Sequence, residues 1–221
     1  MKIKCGGTEF EVLDADSDLF GFDSGIMEKH WLPEPGQVCF DVGSGPGAWT
    51  LVALARGAST FSFDPRPVAV RILMDNIFAN KFTKGIVLPF GLWSKQDVLP
   101  FSDASFIEGF EPVPMRHAYP VTTLDEFMKI GINRLDFMTI DAEASELEIL
   151  IGGRETIQKF KPKIVIELHK GVKVDDIKSE LNGYSFMDDG IPIETYHCPE
   201  YLVKFPSEKP FSCPFLIATR R

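Results

Sequence analysis

The chain has no long hydrophobic run and no surplus of basic residues. Its 221 residues contain no apolar stretch near the roughly 20 residues that a membrane-spanning helix needs. The first residues also lack the apolar core of a signal peptide. The formal net charge is −9, whereas nonspecific nucleic-acid binding depends on clustered Lys and Arg. We therefore expect a cytoplasmic protein whose partner is a small molecule, and neither a membrane nor a nucleic acid.

Paired cysteines are missing as well. Cys5, Cys39, Cys198 and Cys213 lie far apart and form no C-x-x-C pair, so the sequence favours neither a disulfide framework nor a standard zinc module. His197 precedes Cys198, but a fourth ligand at the usual spacing is lacking. We predict no metal site from these residues.

Short apolar segments alternate with amphipathic ones, and no internal repeat interrupts the alternation. Nearly continuous apolar runs are typical of strands that are buried on both faces of a parallel sheet. We therefore predict a doubly wound α/β domain, with ligands bound at the carboxyl ends of its strands. The predicted strands are residues 38–42, 60–63, 85–90, 136–141 and 163–167, and the first two helices are 48–56 and a helix whose apolar face is Val70, Leu73, Met74 and Ile77.

Two regions stand outside this alternation. Residues 1–34 are predicted to form an extension that begins with a β-hairpin at 3–12 and continues as irregular or helical chain. Residues 35–221 then form the main domain, which ends with two strands near 184–187 and 215–219. Within that domain, residues 94–119 are rich in Phe and Pro and have no periodicity, which is typical of a substrate lid.

The first predicted strand ends in a cluster of glycines, VCFDVGSGPG at residues 38–47. Glycine is needed where a strand turns sharply into a helix and its backbone approaches a ligand closely. Gly43, Gly45 and Ala48 satisfy the G-x-G-x-x-A dinucleotide pattern. The spacing therefore fits a nucleotide cofactor, and it leaves open whether that cofactor is NAD or S-adenosylmethionine.

Asp41 favours S-adenosylmethionine. A buried carboxylate without a partner costs several kcal/mol by order of magnitude, so Asp41 is expected to have a donor or a cation beside it. The α-ammonium group of S-adenosylmethionine would supply one, whereas the pyrophosphate of NAD would be repelled. Asp64 ends the second predicted strand, where a carboxylate accepts ribose hydroxyls in either cofactor. The alternative is that both residues only cap helices around a tight turn.

Five segments together resemble one known family: FDVGSGPGAWT, FDPRP, TTLDEF, DFMTIDAEASELEILIGG and KPKIVIELH. They are similar to the S-adenosylmethionine-dependent methyltransferases of the FkbM type. The resemblance implies a class I methyltransferase fold, which is a Rossmann-like sheet of seven strands with an antiparallel last strand. It also implies O-methylation of a hydroxyl, for which we expect a sugar or a natural-product intermediate as the acceptor.

The resemblance implies a cofactor site by matching position. Asp41, Gly43, Ser44, Gly45 and Gly47 would line the methionine end, Asp64 and Pro65 the ribose, Leu92 and Trp93 the adenine, and Asp141 would complete the site. Three positions depart from the family pattern. Thr139 replaces the usual Lys, Ala144 the usual Gly, and Asp64 the usual Glu.

Three residues are candidates for catalysis. His169 ends the fifth predicted strand and titrates near neutral pH, so it is the predicted general base. Asp141 and Glu143 project to one side if their segment stays extended, and they would orient the acceptor or act as the base. Alternatively, they only add negative charge near a helix that Ser145 and Glu148 cap.

Other readings of these features remain open. Asp141, Glu143 and His169 are also suitable divalent-cation ligands, but spacing in the sequence cannot show whether they converge, and no metal is predicted. Two other functions are compatible with the sequence. One is an NAD-dependent oxidoreductase, and the other is a protein that binds S-adenosylmethionine without catalysis.

Overall fold

The computed structural model describes residues 1–13, 24–102, 105–106, 117–169, 172–188 and 215–220. Its strands are β1 (Lys2–Cys5), β2 (Thr8–Glu11), β3 (Val38–Val42), β4 (Ser59–Phe63), β5 (Gly85–Leu88), β6 (Gly91–Leu92), β7 (Asp97–Ser102), β8 (Ser105–Phe106), β9 (His117–Thr122), β10 (Phe137–Ile140), β11 (Lys163–Glu167), β12 (Tyr184–Asp188) and β13 (Phe215–Arg220). Its α-helices are α1 (Ser24–His30), α2 (Ala48–Ala55), α3 (Pro67–Ala79), α4 (Leu124–Phe127), α5 (Glu146–Ile151), α6 (Arg154–Phe160) and α7 (Val174–Glu180). His197, Cys198 and Cys213 lie outside the described residues.

A seven-stranded sheet forms the centre of the protein, in the order β12-β13-β11-β10-β3-β4-β5. Strands β11, β10, β3, β4 and β5 are parallel, and β13 runs antiparallel to both of its neighbours. The doubly wound α/β prediction with an antiparallel last strand is therefore confirmed. Strands β3 and β11 have the predicted boundaries because their apolar runs are buried on both faces.

The winding direction reverses between β3 and β10. From β3 the chain continues through α2 to β4 and β5 on one side, and the later strands β10 and β11 lie on the other side. The carboxyl ends of β3 and β10 are therefore adjacent, which is where ligands bind in open α/β sheets. The glycine cluster follows β3, and Asp141 follows β10.

The N-terminal hairpin packs on the main domain. Strands β1 and β2 pair antiparallel, as the sequence predicts. Ile3 and Phe10 belong to the buried cluster that also contains Trp31 and Trp49. Trp31 meets Trp49 edge-to-face with ring centroids 5.6 Å apart, which is a favourable geometry for aromatic pairs. This hairpin is therefore part of the core around α2.

The buried face of helix α3 matches the predicted one only in part. Met74 is 55% exposed, whereas Asn76 is fully buried. The Asn76 amide accepts a hydrogen bond from Leu13 N (2.9 Å) and donates one to Pro46 O (3.3 Å). A polar residue is buried here because it connects the end of the hairpin to the glycine cluster, and hydrophobic periodicity cannot reveal this role.

The segment 94–119 is not irregular where the structure describes it. Strands β6, β9, β7 and β8 form a second sheet in that order. Leu99 and Phe101 are buried while Val98 is exposed, so β7 alternates as a strand does. Pro100 and Pro120 obscured this alternation in the sequence. The lid function stays a prediction, and residues 103–104 and 107–116 of the segment lie outside the described part.

Among the described residues, none of the helices combines the length and the apolar character needed to cross a membrane.

The approach of β3 to β10 depends on Gly43. Its φ is +78°, and a Cβ atom there would lie 1.8 Å from the carbonyl oxygen of Asp141. Replacing Gly43 by Ala is therefore expected to lower the free energy of unfolding by about 3 kcal/mol, from left-handed strain and a backbone clash together. Urea unfolding measures this loss.

Gly131→Ala is the matched control. Its φ is +103°, but a Cβ there would meet no atom within 4 Å, so only the backbone strain of about 1 kcal/mol applies. Equal losses in the two variants would contradict the close contact at Gly43.

Candidate functional site

A cleft lies at the carboxyl ends of the parallel strands. Its lining combines backbone, acidic and apolar groups, as is usual for a cofactor site. Six predicted site residues line it: Gly43, Asp64, Pro65, Leu92, Asp141 and Glu143. The other lining residues are Val42, Phe63, Arg66, Gly91, Phe101, Ala142, Ser145 and Ile149.

Asp41 is buried beneath this cleft and does not line it. Its Oδ2 accepts hydrogen bonds from Thr50 N (3.0 Å) and Thr50 Oγ1 (2.6 Å), and its Oδ1 accepts one from Thr139 Oγ1 (2.8 Å). Thr50 Oγ1 also contacts Ser62 Oγ at 2.6 Å. The donor that we predicted for Asp41 is therefore supplied by the protein, and the predicted contact with a cofactor ammonium is not what satisfies this carboxylate.

The rest of the glycine cluster shapes the loop. Gly45 N donates to Asp64 Oδ2 at 2.9 Å. Gly47 precedes α2 with φ +102°, where a Cβ would lie 2.2 Å from Leu73 Cδ1. Ser44 is buried, and its Oγ has no hydrogen-bond partner among the described residues. Of the predicted loop residues, only Gly43 therefore lies at the cleft.

Asp64 is already saturated with donors. Besides Gly45 N, its carboxylate accepts from Arg66 N (2.9 Å), Arg66 Nε (2.9 Å) and Arg66 Nη2 (2.6 Å). A carboxylate has about four lone-pair positions, so Arg66 occupies those that ribose hydroxyls would use. Sequence reasoning missed Arg66, although its position two residues after the acid in FDPRP was a possible signal.

Apolar side chains form one wall of the cleft. They are Phe63, Leu92, Phe101 and Ile149. Such a wall suits the flat face of an adenine. The adenine contact predicted for Trp93 is not supported, because Trp93 is buried with Leu99 and Val121 in a separate cluster.

Acidic side chains surround His169 at the ends of β10 and β11. His169 Nε2 lies 3.6 Å from both Asp141 Oδ1 and Glu143 Oε2. His169 Nδ1 lies 2.6 Å from Oε1 of Glu146, which is fully buried. Glu167 also belongs to the group, since ligand atoms of Asp141, Glu167 and His169 all lie within 4.8 Å of one another.

The backbone of this segment differs in two ways from what the sequence suggested. Glu143 has a φ of +48°, so the chain after Asp141 turns, and the two acids converge on His169 without an extended backbone. Ser145 precedes α5 but makes no capping hydrogen bond with its side chain. Sequence reasoning also missed the pairing of Glu146 with His169, which joins residues 23 positions apart.

The charges in this cluster are strongly coupled. Burial lowers the pKa of His169, but the hydrogen bond and charge of Glu146, with Asp141 and Glu143, raise that pKa to about 10. Burial and the neighbouring Glu167 raise the pKa of Asp141 well above its ordinary value. These acids therefore favour a protonated His169 at neutral pH, which does not suit the predicted role as general base, and that role stays a prediction.

The comparisons with known proteins agree with this fold. Residues 41–186 match the family described as the methyltransferase FkbM domain. A methyltransferase FkbM from Methylobacillus flagellatus KT has a similar structure, with a TM-score of 0.58 and 18% identity over 94% of this chain and 47% of that chain. The chain thus spans about half the length of that protein.

Two further solved structures are similar at lower identity. A putative rRNA methylase from Clostridium thermocellum has a TM-score of 0.51 at 10% identity, covering 90% of this chain and 96% of that chain. A precorrin-6y C5,15-methyltransferase from Geobacter metallireducens GS-15 has a TM-score of 0.50 at 13% identity, covering 96% and 100%. At such identities the likeness shows the fold alone. No curated protein matches the chain.

The burial of Asp41 predicts a pH-dependent stability. Burial raises the pKa of Asp41 to about 6, and the hydrogen bonds from Thr50 and Thr139 limit this rise. In the unfolded chain the pKa is about 3.9. Between these values the folded state binds more protons, so the contribution of Asp41 to the free energy of unfolding falls by about 2 kcal/mol as pH rises from 4 to 6.

The variant Asp41→Asn keeps the side-chain shape but does not titrate. Its free energy of unfolding is therefore expected to lack this fall, which urea unfolding at several pH values measures. Asp75→Asn, on the exposed surface of α3, removes the same charge without burial and should keep the wild-type slope. If the free energy of unfolding of Asp41→Asn depends on pH as it does in the wild type, the pH dependence does not come from the titration of Asp41.

Ala144 is a second position with a testable cost. Its φ is +73°, a conformation that costs a non-glycine residue about 1 kcal/mol or more. Ala144→Gly is therefore expected to raise the free energy of unfolding by about 1 kcal/mol. In the interior of α2, Ala53→Gly should instead lower it by about the same amount. A loss of stability in both variants would refute the strain at Ala144.

Proposed function

The chain belongs to the FkbM methyltransferase family, and from that premise we propose that it is an enzyme that transfers a methyl group from S-adenosylmethionine to a hydroxyl of a small molecule. The observation that carries the proposal is the cleft at the switch point between β3 and β10, where Gly43, Asp64 and Asp141 meet. Membership of this family favours S-adenosylmethionine over the NAD-dependent alternative.

The residues of the cleft suit S-adenosylmethionine. Gly43 offers backbone that a ligand can approach closely, Asp64 offers a buried carboxylate for two ribose hydroxyls, and Leu92 offers an apolar surface for adenine. When bound, this cofactor supplies a methyl group on a sulfonium sulfur, which reacts by in-line displacement. Most of the acceleration then comes from holding the acceptor in position.

The acceptor hydroxyl must also lose its proton. Asp141 and Glu143 line the cleft, whereas His169 does not. A carboxylate is therefore the group within reach of the acceptor, and we assign the base role to Asp141 or Glu143. His169 is a positioning residue, because Glu146 holds its Nδ1 and both acids lie near its Nε2.

The charge of the cleft limits the acceptor class. Asp64, Asp141 and Glu143 line it together with one cation, Arg66, which pairs with Asp64. Phosphorylated or carboxylated acceptors would be repelled by this surplus of carboxylates. Phe101 lies at the cleft and meets Tyr119 edge-to-face at 5.4 Å. A neutral sugar or natural-product intermediate is the acceptor that these groups favour.

Calorimetry with S-adenosylhomocysteine, the demethylated product, tests the cofactor assignment. The wild type is expected to bind this ligand, and NAD is expected not to bind. Asp64→Asn should weaken binding at least tenfold, because hydrogen bonds to a charged group contribute about 1.5–3 kcal/mol. Asp75→Asn serves as the charge-matched control and should bind normally. Binding of NAD alone would overturn the assignment.

Arg66 yields a second prediction. A ribose that binds Asp64 must displace the guanidinium hydrogen bonds from Arg66 Nε and Nη2. Arg66→Met removes this competitor, so it should bind S-adenosylhomocysteine several-fold more tightly and unfold at a lower temperature without ligand. Arg71→Met, on the exposed side of α3, should change neither quantity. Weaker binding by Arg66→Met would show that Arg66 helps to hold the ligand.

A turnover assay distinguishes an enzyme from a protein that only binds the cofactor. Neutral sugars and other hydroxyl compounds are incubated with S-adenosylmethionine, and mass spectrometry detects products that carry one added methyl group. Asp141→Asn is expected to lose this activity by about 10²-fold or more, since general-base catalysis contributes at least that much. Full activity in both Asp141→Asn and Glu143→Gln would remove the base assignment.

A further inference from the structure

We propose that Asp141, Glu167 and His169 bind a divalent cation at the edge of the cleft. Their ligand atoms all lie within 4.8 Å of one another, and all three residues are partly buried. The residues come from the carboxyl ends of two adjacent parallel strands, β10 and β11, and from the residues that follow them. The sequence could not reveal that these three residues converge.

The distances around His169 fit a cation better than a hydrogen bond. Nε2 lies 3.6 Å from Asp141 Oδ1, which is beyond hydrogen-bonding distance. Two ligand atoms that each lie about 2.2 Å from one metal ion are roughly 3.1 Å apart in octahedral and roughly 3.6 Å apart in tetrahedral coordination, so a small movement of either side chain would fit an ion. Glu143 Oε2, also 3.6 Å from Nε2, is placed to approach the same ion directly or through water.

Glu146 gives an independent reason to assign a cation. Its Oε1 holds His169 Nδ1 at 2.6 Å, which leaves Nε2 to face the acids, and a cation that binds Nε2 would displace the ring proton there into solvent. Histidines that bind metals usually donate their other ring N–H to a carboxylate in this way, which fixes the tautomer and the ring orientation. Glu146 is fully buried, and its Oε2 has no hydrogen-bond partner among the described residues. The protein therefore buries the carboxyl group of Glu146 at a cost in free energy, and this group orients the imidazole of His169.

The local charge also favours a cation. Four carboxylates, those of Asp141, Glu143, Glu146 and Glu167, act on one imidazole or on one another in this cluster. A divalent ion would reduce the repulsion among them without adding another side chain. Two carboxylates and one imidazole suit Mn²⁺, since carboxylates favour Mg²⁺ and Mn²⁺, whereas imidazole favours transition metals.

The location suggests what the ion would do. Asp141 lines the cleft, so an ion bound to it would lie beside the acceptor. This part of the inference rests on the proposed function: the acceptor hydroxyl oxygen would occupy an open position of the ion, which would orient it towards the methyl donor.

Binding of Mn²⁺ to the chelator-treated protein tests the site, with electron paramagnetic resonance as the measurement. The wild type is expected to bind one Mn²⁺ saturably in the absence of any cofactor. Glu167→Gln and Asp141→Asn should each weaken this binding at least tenfold. Glu180→Gln, which removes an acid paired with Arg154 on another surface, is the control and should bind Mn²⁺ as the wild type does.

Calorimetry with S-adenosylhomocysteine on the same samples separates the two proposals. Glu167 does not line the cleft, so Glu167→Gln should retain this ligand while losing Mn²⁺, which also shows that it is folded. If the wild type binds S-adenosylhomocysteine but shows no saturable Mn²⁺ binding up to millimolar concentration, the metal site is overturned and the cofactor proposal stands. Equal Mn²⁺ affinity in the wild type and both ligand variants also overturns it.

Discussion

The buried carboxylate of Asp41 is the constraint on which the cleft depends. Its hydrogen bonds join β3 to α2 through Thr50 and to β10 through Thr139, and Thr50 in turn contacts Ser62 on β4. Strands β10, β3 and β4, which are adjacent in the sheet, and helix α2 are thus held together at the level of Asp41. A buried polar network of this kind specifies a geometry only if its members are satisfied, and the three threonine donors satisfy Asp41.

The positions of the functional groups follow from that alignment. With β3 and β10 in register, the turn after β3 can press Gly43 against the carbonyl of Asp141. Gly43 is expected to contact the cofactor, and Asp141 is expected to act on the acceptor. The backbones of these two residues are therefore in contact. Thr139 stands where related sequences usually have Lys, and here its hydroxyl serves the internal network instead of the cleft.

The sequence was sufficient for features that depend on local pattern. It located β3 and β11 because buried parallel strands are continuous apolar runs, and it located the glycine turn because only Gly tolerates it. It failed where distant residues meet. Asp41 was known to need a donor, but Thr139 lies 98 positions away. The Glu146–His169 pair and part of the buried face of α3 were missed for the same reason, since periodicity carries no information about partners.

The ion pair between Arg66 and Asp64 affects the stability of the protein when no ligand is bound. A carboxylate as buried as Asp64 would be a liability in an empty cleft, because its charge would have no counterpart. Arg66 supplies that counterpart from within the chain, so the folded state does not depend on the supply of a nucleotide. If a ribose binds Asp64 as proposed, the pair with Arg66 lowers the affinity for that ligand and stabilises the folded state without it.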